Sequence, residues 1–240
     1  MATNSSLHIS QQFEAELQDI RSQVLAMAGL VEKQVADALE ALFTGDVELA
    51  SQVIEQDTQV NNFEMKIDEE CTQILALRQP TASDLRLIVA ILKTITDLER
   101  IGDEANIIAR KALNLSDQDR PKKSYRELAT LGKHVCEMLR DALDAFARFD
   151  VTAALRVAAE DKNVDEEYEG ILRQLITYMM EDPRNISHVL DLIWSARALE
   201  RIGDHANNVC EYVIYLVEGK DVRHLGVDKI EQILQDKNSK

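Results

Sequence analysis

A six-residue stretch, Leu-Glu-Arg-Ile-Gly-Asp, occurs twice in this chain, at positions 98–103 and 199–204. The likeness runs past each copy, since Ala105 and Asn106 answer to Ala206 and Asn207. Upstream, Asp37-Ala38-Leu39-Glu40-Ala41 matches Asp141-Ala142-Leu143-Asp144-Ala145, and Asp46-Val47 matches Asp150-Val151. At that same offset of 104, Ala50, Val53, Asp57 and Val60 match Ala154, Val157, Asp161 and Val164. Two copies of a unit this long fold alike, so the chain is restricted to architectures made of two equivalent halves.

Each half reads as helix, helix, helix. Residues 9–43 run with helical periodicity, interrupted only by Gly29. Thr44-Gly45-Asp46 ends that helix: Gly45 suits a left-handed C-cap, and Asp46 suits the N-cap of the next helix. The second helix runs from about Val47 to Leu77 on a stripe of Val53, Val60, Phe63, Ile67, Cys71 and Ile74. After a turn at Gln79-Pro80-Thr81, a third helix starts near Ser83. It carries Leu85, Ile88, Leu92, Ile95 and Leu98 toward a core and continues to about Leu115. The polar, Pro-containing stretch 116–123 reads as a linker.

Ser124 and Glu127 have capping-box spacing, and a fourth helix runs from there to about Phe149. Asp150 caps a fifth that reaches Glu181; after Pro183 a sixth carries the second motif and stops at Gly219. The tail, 220–240, is polar, with one short helix expected near 228–235. No stretch alternates as a strand does. The expected fold is all-α, two tandem three-helix bundles at 9–115 and 124–219.

Charge narrows the partners. The net charge is −16, a field that repels phosphate backbones and anionic lipid and attracts metal ions and basic protein surfaces. Nucleic acid is not an expected partner. The longest apolar run, 87–92, is far too short to span a bilayer. Residues 1–10 lack a basic region followed by an apolar run, so no secretory signal is expected. Cys71, Cys136 and Cys210 lack Cys-x-x-Cys spacing and read as reduced thiols of a cytoplasmic protein.

In each motif copy Glu and Asp are four residues apart, which puts both carboxylates on one helix face with about 6 Å of axial rise between them. Two like charges so placed repel, and a cation would relieve them. Counting back from the turns sets the register of the second helix of each half. Asn61 then lies opposite Glu99 and Asp57 opposite Asp103. In the second half Asp165 and Asp161 fall within a turn of Glu200 and Asp204. Asp161, Asp165, Glu200 and Asp204 are therefore one candidate metal set, and Asp57, Asn61, Glu99 and Asp103 the other, with an amide in place of one acid. All-oxygen ligands suit Mg²⁺, Mn²⁺ or Ca²⁺, and also iron. A single acid pair in so acidic a chain is usually just a solvated face; two in register, in both halves, point to a metal.

Gly102 and Gly203 each cost a helix about 1 kcal/mol, which implies either close helix approach or room for a ligand. Arg100 and Arg201 either pair with neighbouring acids or contact an anion beside the metal. His205 is expected to face solvent, with a nitrogen ligand as the alternative; His8, His134, His188 and His224 form no cluster. Trp194, Tyr168 and Phe63 read as core. No nucleophile–base constellation and no phosphate-cradling Gly loop is found. Di-metal carboxylate bundle enzymes carry Glu-x-x-His on two helices, and that motif occurs nowhere in this chain. A plain helical scaffold is the remaining alternative.

The chain resembles the PhoU family of bacterial phosphate-signalling regulators over essentially its whole length. The match is carried by both Leu-Glu-Arg-Ile-Gly-Asp segments, by residues 78–86 (Arg-Gln-Pro-Thr-Ala-Ser-Asp-Leu-Arg) and by 164–171 (Val-Asp-Glu-Glu-Tyr-Glu-Gly-Ile). The resemblance implies two three-helix bundles side by side, each holding a centre of divalent or trivalent metal ions (Mg, Mn, Fe or Zn) on Glu/Asp-x-x-x-Asp pairs. It implies no catalytic activity. The implied role is repression of the phosphate-starvation regulon and modulation of phosphate uptake, as an adaptor between the Pst phosphate transporter, through its ATPase PstB, and the sensor kinase PhoR. A homodimer that meets the membrane only through its partners is implied as well. Asn61 is the one departure from the metal pattern.

Overall fold

The computed structural model describes residues 2–116, 122–223, 225 and 229, with side chains described from residue 11 onward and not at 122–124. Six long helices follow one another: α1 (Ala2–Thr44), α2 (Val47–Arg78), α3 (Ala82–Leu115), α4 (Lys122–Arg148), α5 (Val151–Glu181) and α6 (Ile186–Glu218). No strand occurs among the described residues. Residues 117–121 of the expected linker and most of the tail helix expected at 228–235 lie outside them.

The helix ends are set by local chemistry. Gly45 takes φ +77° and Gly219 φ +69°, the left-handed conformation that a side chain disfavours. Asp46 and Asp150 accept from the backbone N–H of Leu49 and Ala153, each at 2.9 Å, so α2 and α5 start alike. The repeat unit's counterpart of Gly45 is Phe149, held at φ +54°. Its ring packs edge-on against Phe146 and under the Arg21 guanidinium, 4.5 Å from the centroid, contacts that offset the strain of that conformation. Pro183–Asn185 forms a 3₁₀ turn before α6. α4 begins at Lys122, two residues ahead of the start expected at Ser124.

Buried residues of α1, from Ile20 through Val24, Met27, Val31, Val35, Ala38 and Leu42, recur every three or four positions. The same spacing appears on α4 at Leu128, Leu131, Val135, Leu139, Ala142 and Phe146. Each such aliphatic side chain contributes about 1.5–3 kcal/mol on burial. α1, α2 and α3 pack together, α4, α5 and α6 likewise, and α3 lies antiparallel along α6 as the seam between the two groups, with α1 touching α4 beneath it. The apolar side chains of both halves form a single continuous core across that seam.

Contrary to expectation, Trp194 is not core; it is 56% exposed. With Ile186 and Leu190 it forms the outward line of α6, one turn apart each. Leu85, the repeat counterpart of Ile186 and expected to point toward the core, is also outward, at 40% exposed. A helix lodged among α3, α4 and α5 is apolar on most sides, so an apolar residue on it need not face inward. Tyr168 and Phe63 pack against the core as partly buried residues.

Candidate metal centres

Close approach of helices builds both faces. A Cβ on Gly203 would lie 3.2 Å from Val164 Cγ1, and one on Gly102 would lie 3.5 Å from Val60 Cγ1 and 3.4 Å from Gln34 Oε1. The glycines therefore let α5 settle on α6 and α2 on α3, and the space opposite them is filled by valine rather than left for a ligand.

In the second half, one carboxylate oxygen from each of Asp165, Glu200 and Asp204 lies within 4.8 Å of the others. Asp161 stands beside them, held by Asn207, whose Nδ2 donates to Asp161 Oδ2 at 3.1 Å. Burial, then the charges of Asp204 and Asp165, pushes Asp161 up to about 6. Burial, then Asp204, pushes Glu200 up to about 7 against the opposing pull of Arg197. Asp204 is raised as well, by burial and then by Asp165. Glu200 is not on an open face; it is only 8% exposed. Its Oε1 takes a hydrogen bond from Arg197 Nη1 at 2.5 Å, while its Oε2 is buried without a donor. A buried carboxylate oxygen with no partner, next to two further acids, is a costly arrangement unless a proton or a cation completes it. The donors are all oxygen, which fits Mg²⁺, Mn²⁺ or iron better than Zn²⁺.

The first half is looser. Among the described residues the second-half trio is the one group of three potential ligands drawn so close. Burial, then Asp103, raises Asp57 and Glu99 above the usual carboxylate range. The buried oxygens Asp57 Oδ1 and Asn61 Oδ1 have no hydrogen-bond partner. Arg100 reaches both Glu99 and Asp103, at 3.4 Å each. Its counterpart Arg201 turns the other way and pairs with buried Glu104 of α3 at 3.0 Å.

Three residues of these faces are not singled out by the sequence. Glu64 interacts with Asp103 and Arg100 and is raised above its usual range, chiefly by burial. It lies seven residues after Asp57, two turns along the same face, which is a signal the sequence does hold. Asn207 hydrogen-bonds the facing Asp161, and its counterpart Asn106 acts on the facing Asp57 to oppose the rise of its pKa; each lies one turn beyond a motif Asp. His205 neither faces solvent nor turns to the metal face. Its Nδ1 lies 2.6 Å from buried Asp97 of α3.

The duplicated helical architecture has known counterparts. A family profile described as PhoU domain matches residues 24–112 and again 128–213. The chain belongs to the PhoU family. It is 58% identical over 229 residues to the phosphate-specific transport system accessory protein PhoU homolog of Pseudomonas aeruginosa, covering 95% of each chain. It is 53% identical over 237 residues to the phosphate-specific transport system accessory protein PhoU of Escherichia coli K12, covering 98% of each. The crystal structure of PhoU from Pseudomonas aeruginosa superposes with a TM-score of 0.85 at 59% identity, over 87% of this chain and 100% of that one. The phosphate transport system regulatory protein PhoU from Streptococcus pneumoniae superposes at 0.80 with 32% identity, over 88% and 99%.

Proposed function

We propose that this protein is a metal-binding regulatory adaptor of phosphate transport that represses the phosphate-starvation response when phosphate is plentiful. The observation that carries the reading is the duplicated Leu-Glu-Arg-Ile-Gly-Asp face, with Asp165, Glu200 and Asp204 converging, in a chain 53–60% identical to accessory proteins of phosphate-specific transport systems. On this reading the protein docks to the ATPase PstB of the Pst transporter and to the sensor kinase PhoR, in the cytoplasm and as a homodimer, and does no chemistry on either partner. No helix among the described residues is long and apolar enough to cross a membrane; on this reading membrane contact runs through the partners.

The metal would be held by Asp161, Asp165, Glu200 and Asp204 in one half and by Asp57, Asn61, Glu99 and Asp103 in the other. Its role is to neutralise crowded carboxylates and so fix α2 against α3 and α5 against α6. Arg100 and Arg201 line grooves along the α3–α6 seam, which makes that seam the docking surface to probe first.

The test is genetic. Deleting the gene should switch on phosphate-starvation genes in phosphate-rich medium, and a second deletion of the kinase should silence them again. Normal repression in the single deletion would refute the adaptor reading, and turnover of a phosphorylated substrate by the pure protein would replace it with an enzyme.

A further inference from the structure

We infer that the two carboxylate faces are unequal, the second half being a tight metal centre and the first a weak one that fills only at higher metal concentration. This deepens the metal-binding reading above and rests on it.

Three differences carry the inference. Asn61 stands at the repeat position of Asp165, so the first set offers a neutral amide where the second offers a charge. Affinity for hard cations follows the number of charged oxygen ligands and how far the site is already assembled. Convergence is the second difference: Asp165, Glu200 and Asp204 already hold their oxygens within 4.8 Å, and among the described residues no three acids of the first half do.

The third difference is a competing cation. Arg100 bridges Glu99 and Asp103 and must give way before a metal can take both. Arg201 is drawn off to Glu104 instead and leaves Asp204 unencumbered. Arg197 does hold Glu200, but only by Oε1; the buried Oε2 stays without a donor. Glu64, which has no acidic counterpart in the second half because Tyr168 stands there, adds a carboxylate beside Asp103. It offsets part of the charge that Asn61 forgoes, so the inequality rests chiefly on convergence and on Arg100.

The experiment is a Mn²⁺ titration of metal-stripped full-length protein, with free Mn²⁺ read by electron paramagnetic resonance. Two classes of site are expected, separated roughly 10- to 100-fold in Kd. The pair E200Q/D204N should abolish the tight class, the pair E99Q/D103N only the weak one, and Asn61→Asp should tighten the weak class several-fold. Circular dichroism melts confirm that each variant is folded. A single class of site, loss of the tight class in E99Q/D103N, or an unchanged weak class in Asn61→Asp would overturn the inference while leaving metal binding in place. A wild-type protein that binds no Mn²⁺ at all would instead remove the metal-binding reading and this inference with it.

Discussion

His205 Nδ1 of α6 lies 2.6 Å from Asp97 Oδ1 of α3, which ties the two halves of the protein together across their seam. Asn208 Nδ2 donates to the same oxygen at 3.0 Å. Farther along α3, at intervals of seven residues, Glu104 meets Arg201 at 3.0 Å and Lys111 meets Asp191 at 2.9 Å. The seam is thus apolar inside and laced with polar pairs along its length. Asp97 is 6% exposed, so removing its carboxylate strands two donors. Asp97→Ala should cost about 2–4 kcal/mol by urea denaturation; a loss within experimental error would show that the pair is incidental to the seam.

The two motif glycines should respond differently to alanine. At Gly102 the nearest atoms to an added Cβ are at 3.4 and 3.5 Å, ordinary contact, so the gain in helix propensity should survive, about 0.5–1 kcal/mol. At Gly203 the Val164 methyl is 3.2 Å away and must shift, which offsets that gain. Thermal melts should rank Gly102→Ala above wild type and Gly203→Ala at or below it. The reverse order would mean the close approach has been placed on the wrong pair of helices.

Crowded carboxylates give a signed dependence on pH. Asp161 and Glu200 are pushed up to about 6 and about 7, and Asp57, Glu99 and Asp204 are raised too, in each case first by burial. Between about pH 4 and 7 the folded protein then binds more protons than the unfolded chain, so metal-free stability falls as pH rises. Added Mn²⁺ competes with those protons and should raise the melting temperature more at pH 7.5 than at pH 5. Metal-free stability that climbs through this window would contradict the assigned carboxylate environments.

Much of the fold is legible in the sequence because it is local. Helix caps at Asp46 and Asp150, the left-handed Gly45 and Gly219, and the approach of Asp165 to Glu200 and Asp204 are all set by spacing and turn chemistry. Features that depend on three-dimensional neighbours are not legible in this way. His205 and Asp97 are more than a hundred residues apart and belong to different halves, so nothing in either copy of the repeat announces their meeting. Glu200 reads as an exposed acid, but α6 is enclosed on several sides, and burial there depends on helices outside the motif.

Trp194 offers a quick check of that enclosure, since it is the protein's sole tryptophan and points outward. Its fluorescence should be red-shifted and readily quenched by the neutral quencher acrylamide in the native protein. A blue-shifted, protected emission would mean that another surface covers it in solution, and a second copy of the chain would be the first candidate.

The second-half carboxylate face is, on this account, what makes the protein a regulator. The most direct measurement is a phosphate-starvation reporter in the deletion strain, grown in phosphate-rich medium and complemented with either wild type or E200Q/D204N. The substituted protein should accumulate and melt as a folded helical protein yet leave the reporter switched on, as the empty vector does. Full repression by E200Q/D204N at wild-type abundance would contradict the account.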